Sequence, residues 1–310
     1  MADLKLFRIV EGAATELMSS SVALERDLQQ LLESNLETIF GIRFLASEHG
    51  TGKVHRGRID SLGLDENGSP VILEYKRTTN ENVINQGLFY LDWLMDHQGE
   101  FQILVESCLG REVALGIDWS APRLICVAND FTRYDEHAVR QIDRNVELVR
   151  YRDFGSELLA VELVTTTTTA ASSSSQRRVS TVVPGGGPRL SREKTVADHL
   201  AQADSELQGL YADFEAFALS LGDDVVKNER KNYFAFRRLK NFACAEVHPQ
   251  SRNLLIYLKL DPSTVEIQEG FMRDVSSIGH FGTGDVELRV VDKQAWDTIE
   301  MLTRRAYEAN

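Results

Sequence analysis

Cysteine is scarce in this sequence: Cys108, Cys126 and Cys244 are the three in 310 residues, odd in number and far apart. Each sits among apolar neighbours, which fits reduced core thiols rather than a disulfide framework or a zinc site. Long apolar runs are missing too. No stretch of about eighteen uncharged apolar residues occurs, and the opening MADLKLFRIVEGAATE interleaves charges too early for a secretory h-region. A soluble, cytoplasmic protein with no membrane partner is expected. Positive charge is in short supply as well: 34 Lys and Arg stand against 47 Asp and Glu, a net −13. That balance excludes a protein that coats nucleic acid by bulk electrostatics, and leaves room for a local site. The seven histidines show no metal-ligand spacing. A phosphate-binding loop is also lacking, because Gly50-Thr51-Gly52-Lys53 has Ser47 in place of the first glycine and Val54 in place of Ser or Thr. An intrinsic ATP-driven motor is excluded, and the segment reads as a turn between strands.

What is present points to two domains. The chain is longer than one ordinary domain, and its 43% apolar residues suffice for two cores. Between them lies TTTTTAASSSSQRRVSTVVPGGGPRLSREK, a Thr, Ser and Gly-rich stretch without apolar period, read as a flexible linker over residues 165–194. The flanking segments 1–164 and 195–310 carry −11 and −6, whereas the linker carries +4. Its Arg177, Arg178, Arg189 and Arg192 either graze phosphates or keep the linker solvated.

In the first domain, Leu24, Leu28, Leu31, Leu32, Leu36 and Ile39 form the apolar stripe of an amphipathic helix over 24–40. On a helical wheel Glu25 falls about 50° from the stripe centre, and Glu33 and Glu37 about 130° and 170° away. Glu25 therefore points inward, as a metal ligand or a salt-bridged group, while Glu33 and Glu37 face water. Strands are expected at 43–48, 57–64 and 71–76, then a helix over 80–96. Strands at 101–106 and 124–128, a helix over 135–145 and short strands at 146–151 and 158–164 complete the domain. The order α-β-β-β-α-β, with extra elements, predicts a mixed sheet with helices on its faces.

Strand alternation sets Glu74 and Lys76 on one face and Leu73 and Tyr75 on the other. A strict two-residue hairpin at Asn67-Gly68 would aim Asp60 away from Glu74. A three-residue loop, Glu66 to Gly68 with Gly68 left-handed, sets Asp60 directly opposite Glu74, and this register is expected because a metal site shared by the two carboxylates requires it. On the following helix Gln86 and Tyr90 are four residues apart and share a face.

Taken in order, Glu25, Asp60, Glu74-Tyr75-Lys76 and Gln86-Gly87-Leu88-Phe89-Tyr90 resemble the PD-(D/E)XK nucleases, RecB-like members and NucS-type endonucleases in particular. One departure is Ile59, where the pattern often has proline. The resemblance implies a restriction-endonuclease-like αβββαβ core and a metal-dependent DNA endonuclease. Asp60 and Glu74 would hold Mg²⁺, or Mn²⁺ as a substitute, with the Tyr75 carbonyl as third ligand and Glu25 as an outer one; hard oxygen donors suit that ion. Lys76 would position the attacking water and neutralise transition-state charge, with Gln86 and Tyr90 orienting Lys76 and the phosphate. Arg56 and Arg58 are phosphate contacts or, on the blander reading, strand-edge charges. DNA is the implied partner and a homodimer fits paired cuts. The competing reading is an ordinary α/β domain, or a non-catalytic nucleic-acid-binding or regulatory protein on the same fold.

The third segment predicts a small α+β domain. A helical stretch runs from 195 to 221, followed by KNERKNYFAFRRLKNF at 227–242, where six basic residues alternate with aromatics. This is either a strand with an aromatic inner face or a nucleic-acid surface that uses Arg237 and Arg238. Strands at 254–260 and 286–291 and a closing helix from 293 follow. The NFACAEV, LLIYLKL and RRAYEAN stretches look like a C-terminal domain that accompanies such nucleases, with a recognition or protein-partner role.

Overall fold

The computed structural model describes residues 4–19, 25–76, 82–155, 157–167 and 194–310. It divides into two compact units, Met1–Thr168 and Thr169–Asn310. Residues 168–193 of the linker, including its four arginines, lie outside the described residues.

The first unit opens with a hairpin, β1 (Leu6–Val10) and β2 (Ala13–Leu17), followed by α1 (Glu25–Glu33) and α2 (Leu36–Phe40). Next come β3 (Ile42–Gly50), α3 (Gly52–His55), β4 (Arg58–Asp65) and β5 (Pro70–Lys76). The helices α4 (Asn82–Asp96), α5 (Gln98–Leu109) and α6 (Arg111–Leu115) then cross over to β6 (Arg123–Ala128). The unit closes with α7 (Arg133–Val139), β7 (Asn145–Phe154) and β8 (Leu158–Thr167). The main sheet runs β3-β4-β5-β6-β7-β8. Its centre, β5-β6-β7, is parallel and its flanks are antiparallel, so the sheet is mixed, and the α-β-β-β-α-β order holds with β6 as its last strand in place of the one expected at 101–106. Central β6 is buried at every residue, as a strand covered on both faces must be. One core joins Leu62, Leu64, Ile72, Leu124 and Cys126 to Leu91, Trp93 and Leu94 of α4 and Phe101 and Val105 of α5.

Four readings of this unit need correction. The helix expected over 24–40 is two helices, because Ser34 Oγ donates to the Gln30 carbonyl at 2.8 Å and Asn35 Nδ2 to the Leu31 carbonyl at 2.8 Å. Side chains that capture their own backbone compete with the helix. The strand expected at 101–106 is helix α5: Phe101 and Val105 are buried four apart while Ile103 is 71% exposed, and alternation would bury all three. The turn expected at 50–53 includes the start of α3. Cys108, expected as a core thiol, is exposed, while Cys126 and Cys244 are buried.

The second unit starts with α8 (Val196–Gln202) and α9 (Ser205–Ser220), then β9 (Val226–Glu229), β10 (Phe234–Arg237), β11 (Asn241–His248) and β12 (Asn253–Leu258). A single 3-10 turn (Pro262–Thr264), β13 (Met272–Asp274), β14 (Val286–Val290) and α10 (Trp296–Ala309) finish it. Its sheet, β13-β14-β12-β11-β10-β9, is antiparallel throughout. The helical stretch read over 195–221 breaks where Asp204 caps α9 by accepting from the Leu207 N–H at 2.9 Å. The basic-aromatic segment 227–242 is two strands and the start of a third rather than one; Phe234, Phe236 and Phe242 enter the core with the helices, and Tyr233 lies in a separate cluster with Cys244 and Tyr257.

Candidate active site

The β4-β5 ladder pairs Leu64 with Pro70, Gly63 with Val71, Leu62 with Ile72 and Ser61 with Leu73. The loop between them is Glu66 to Gly68, and Gly68 takes φ 77°, the left-handed region a side chain would strain. This is the even register, and its next step brings Asp60 opposite Glu74. There the backbone ladder gives way to side chains. The Asp60 N–H donates to Glu74 Oε1 at 3.3 Å and the Tyr75 N–H donates to Asp60 Oδ2 at 3.0 Å. Each carboxylate is thus clipped to the other strand's backbone.

Elements distant in sequence complete the cluster. Gln86 of α4 donates through Nε2 to Glu74 Oε2 at 2.7 Å. Lys76 Nζ donates to Glu25 Oε1, at the start of α1, at 3.0 Å. Tyr75 is fully buried and Glu74 with it. Tyr90 packs in the core, and its hydroxyl accepts the Arg58 N–H at 3.2 Å. Gly57 permits this contact, since a Cβ there would come within 2.5 Å of the Tyr90 ring. The expected orientation of Lys76 by Gln86 and Tyr90 is therefore corrected: among the described residues Gln86 holds Glu74 and Tyr90 holds the entry of β4.

Helix α1 supplies residues that the sequence reading missed. Gln29 Nε2 donates to the Asp60 carbonyl at 2.9 Å, to Ser47 Oγ at 3.1 Å and to Glu33 Oε1 at 3.0 Å, and Ser61 Oγ donates to Glu33 at 2.6 Å. Glu33, expected to face water, is half-buried and bonded toward the sheet at the edge of the cleft. The buried face of α1 is Leu28, Gln29 and Leu32, while Leu31 is exposed, so the true stripe is rotated from the one leucines alone define. The available signal was Gln29, a polar residue between two buried leucines.

A cleft of about 640 Å³ opens here, lined by Glu25, Gln29, Glu33, Glu48, Arg58 and Asp60 among others. Arg58 is exposed and ion-paired with Glu48. Arg56 is exposed at the end of α3, with its Nε donating to the Lys53 carbonyl at 3.1 Å. Burial, with the charges of Glu25 and Glu48 adding to it, pushes the Asp60 carboxyl up to about 6 against the opposing pull of the Tyr75 N–H and Lys76. Burial and then the charge of Asp60 push Glu74 up to about 9. The pair therefore retains a proton near neutrality. Burial alone would depress the Lys76 ammonium, but Glu25, Asp60 and Glu74 together hold it above the usual lysine range.

Among the described residues no three His, Cys, Asp or Glu side chains are grouped as a metal cage. In the second unit Arg237 is 1% exposed, and Arg238 donates to Asp224 at 2.6 Å and lies 4.7 Å over the Tyr307 ring. Arg237 is corrected as a nucleic-acid contact, because it lies inside the fold, while Arg238 is part-exposed and paired with its neighbours. Among the described residues no helix is long and apolar enough to cross a membrane.

Residues 196–310 match a family described as a domain of unknown function, DUF5655. Over 312 residues, 98% of this chain and 99% of the relative, the chain is 29% identical to an uncharacterized protein of Haemophilus influenzae (strain ATCC 51907 / DSM 11121 / KW20 / Rd). Among solved structures, a repair endonuclease from Pyrococcus abyssi is similar at 20% identity and TM-score 0.29, over 42% of this chain and 48% of that one. EndoMS in complex with double-stranded DNA gives 21% identity and TM-score 0.24, over 42% of this chain and 47% of that one. EndoMS in its apo form gives 20% identity and TM-score 0.24, over 42% and 48%. The matches span about half the length of those structures.

Proposed function

We propose that the first unit is a metal-dependent DNA endonuclease that hydrolyses phosphodiester bonds. The observation that carries this reading is the convergence of Asp60 and Glu74 at the end of one ladder, beside Lys76 and Gln86 and on the rim of a polar cleft.

The donor set suits a hard divalent cation. The fully buried Glu74 and half-buried Asp60 carboxylates face each other while Lys76 bonds to Glu25. Oδ1 of Asp60 makes no hydrogen bond among the described residues, so oxygen donors and uncompensated charge coincide. Asp60 and Glu74 would hold Mg²⁺ or Mn²⁺, with the Tyr75 carbonyl as a further ligand and Glu25 outside it. When bound, the ion stabilises charge on the phosphate and acidifies a coordinated water. Lys76 keeps two N–H donors beyond its bond to Glu25, and these position the water and stabilise the developing oxyanion. Gln86 fixes the Glu74 carboxylate. Arg58 and Arg56, at the mouth of the cleft and on α3, bind flanking phosphates. Repair, restriction or phage defence would each use such an enzyme, in the cytoplasm, as a homodimer or with a partner held by the second unit.

A non-catalytic DNA-binding or regulatory protein is the second reading. On its side stands the absence, among the described residues, of a three-carboxylate metal cage.

The test is cleavage of labelled linear, nicked, mismatched, flapped and single-stranded DNAs with Mg²⁺ or Mn²⁺, for wild type, Asp60→Ala and Lys76→Ala, with folding followed by circular dichroism. Metal-dependent cutting that falls by about 10³-fold in both folded variants is expected, the size of loss that follows removal of a transition-state charge. Cutting that survives both substitutions sinks the assignment, and no cutting by any of the three proteins favours the binding reading.

A further inference from the structure

The second unit holds a cavity of about 650 Å³, within the range of small-molecule sites. Helices α8, α9 and α10 all pack on one face of its sheet, against Phe236, Val247, Leu254, Ile256 and Leu288. The alternate residues make the other face, where the cavity lies. Leu255 pairs with Glu246 on one side and Arg289 on the other, and His248 pairs with Asn253. The cavity is lined by His248, Asn253, Leu255, Phe271, Arg273 and Arg289 among others.

Accounting for the polar groups leaves specific vacancies in the hydrogen bonding. Asp274 accepts from the N–H and Oγ of Ser276, Arg273 is ion-paired to Glu287 at 2.6 Å, and His248 bonds Glu246 Oε2 at 2.9 Å. Asn253, 3% exposed, has no partner for Oδ1 among the described residues. Buried acceptors are rarely left unpaired, because each forfeits its hydration. The Arg289 guanidinium is exposed and makes no bond among the described residues. Among the described residues, the apolar Leu255 and Phe271 of the lining thus lie with one buried acceptor that lacks a donor and one cation that lacks an anion.

We infer that this cavity binds an adenine nucleotide. The base lies on Leu255 and Phe271, its amino group donates to Asn253, and the phosphate reaches Arg289, with Arg273 beside it. An asparagine amide matches the adjacent donor and acceptor of adenine, and arginine matches phosphate. The same chemistry comes from a free mononucleotide or from one unpaired nucleotide of a strand, and the inference does not depend on the activity of the first unit.

Titration calorimetry on the full chain in EDTA, which prevents metal-dependent cleavage, tests it with AMP, IMP, inorganic phosphate and a short oligodeoxyadenylate. IMP presents an acceptor where AMP presents the amino donor. AMP is expected to bind, IMP to bind about tenfold more weakly, Arg289→Ala to lose about tenfold, and phosphate alone to bind negligibly. Arg289 is exposed, so its replacement keeps the fold, which circular dichroism verifies; Asn253→Ala, at a buried position, is read only if it also stays folded. Binding of the oligonucleotide but not AMP, with the same dependence on Arg289, supports the strand as the source. Equal affinity for AMP and IMP, phosphate binding as tight as AMP, indifference to Arg289→Ala, or no binding of either adenine ligand overturns the inference.

Discussion

Asp60 and Asp65 lie at opposite ends of β4, and the protein treats their charges in opposite ways. Asp65 is matched: Arg123, 3% exposed, donates to Asp65 Oδ2 at 3.1 Å, and to Glu147 Oε1 and Oε2 at 2.8 and 3.0 Å. This buried guanidinium is shared between two carboxylates, and its partners hold it above the usual arginine range despite burial. Asp60 faces a second carboxylate, Glu74, and Lys76, two residues along the strand from Glu74, bonds to Glu25. Matched charge is what a structural network needs, since a buried ion without a partner costs several kcal/mol. Unmatched carboxylates cost stability, and a site retains them only where a ligand supplies the missing charge.

The largest expected effect comes from breaking the matched end. Arg123→Ala leaves Asp65 and Glu147 buried without their cation and should cost about 3–5 kcal/mol in urea unfolding. A loss below about 1 kcal/mol would mean that the network is not structural.

At the other end the sign reverses. Glu74→Gln keeps the shape and removes the mismatch, so the metal-free variant should melt a few degrees above wild type at pH 8, by the scaling of about 2–4 °C per kcal/mol, while cleavage is lost. Both native carboxyls sit above the ordinary values of 3.8 and 4.5 for Asp and Glu, at about 6 and about 9. Between those limits the folded state binds more protons than the unfolded chain, so ΔG of unfolding falls as pH rises. Their favourable contribution is complete below about pH 4 and disappears as pH passes the raised values. The gap in melting temperature between Glu74→Gln and wild type should therefore widen from pH 5 to pH 9 and narrow on adding Mg²⁺ at pH 8. A gap that ignores pH and metal would place Glu74 with the structural residues.

A smaller effect is expected at Gly57. Gly57→Ala must displace the Tyr90 ring or the start of β4, at a cost of about 1–3 kcal/mol by overpacking, and cleavage should fall more than the fraction unfolded accounts for. Smallest is Arg58→Ala: the exposed pair with Glu48 should contribute under about 1 kcal/mol to stability, while the salt dependence of DNA binding becomes shallower. Arg238→Ala should leave that salt dependence unchanged.

Alternation and turn residues left two registers open, and the one that opposes Asp60 to Glu74 followed only from requiring the two carboxylates to share a metal site. The first three strands of the α-β-β-β-α-β order were legible from local alternation, whereas its last strand, read at 101–106, stands at Arg123–Ala128. Helix α5 was misread because Phe101, Ile103 and Val105 satisfy a two-residue period on paper, and the exposure of Ile103 depends on where the sheet lies. Arg237 looked like a surface cation because its neighbours are basic, yet its strand turns it inside.

By itself, then, the sequence determined the strand alternation, the turn residues and the order of Glu25, Asp60, Glu74, Lys76 and Gln86, all set within a few residues by backbone geometry. Tertiary structure alone decided which charges are compensated. The partner of Lys76 is 51 residues away, that of Arg123 in β4 58 residues away, and Gln29 crosses 31 residues to the Asp60 carbonyl. Desolvation and ion pairing depend on what packs nearby, and packing between distant segments leaves no periodic trace along the chain.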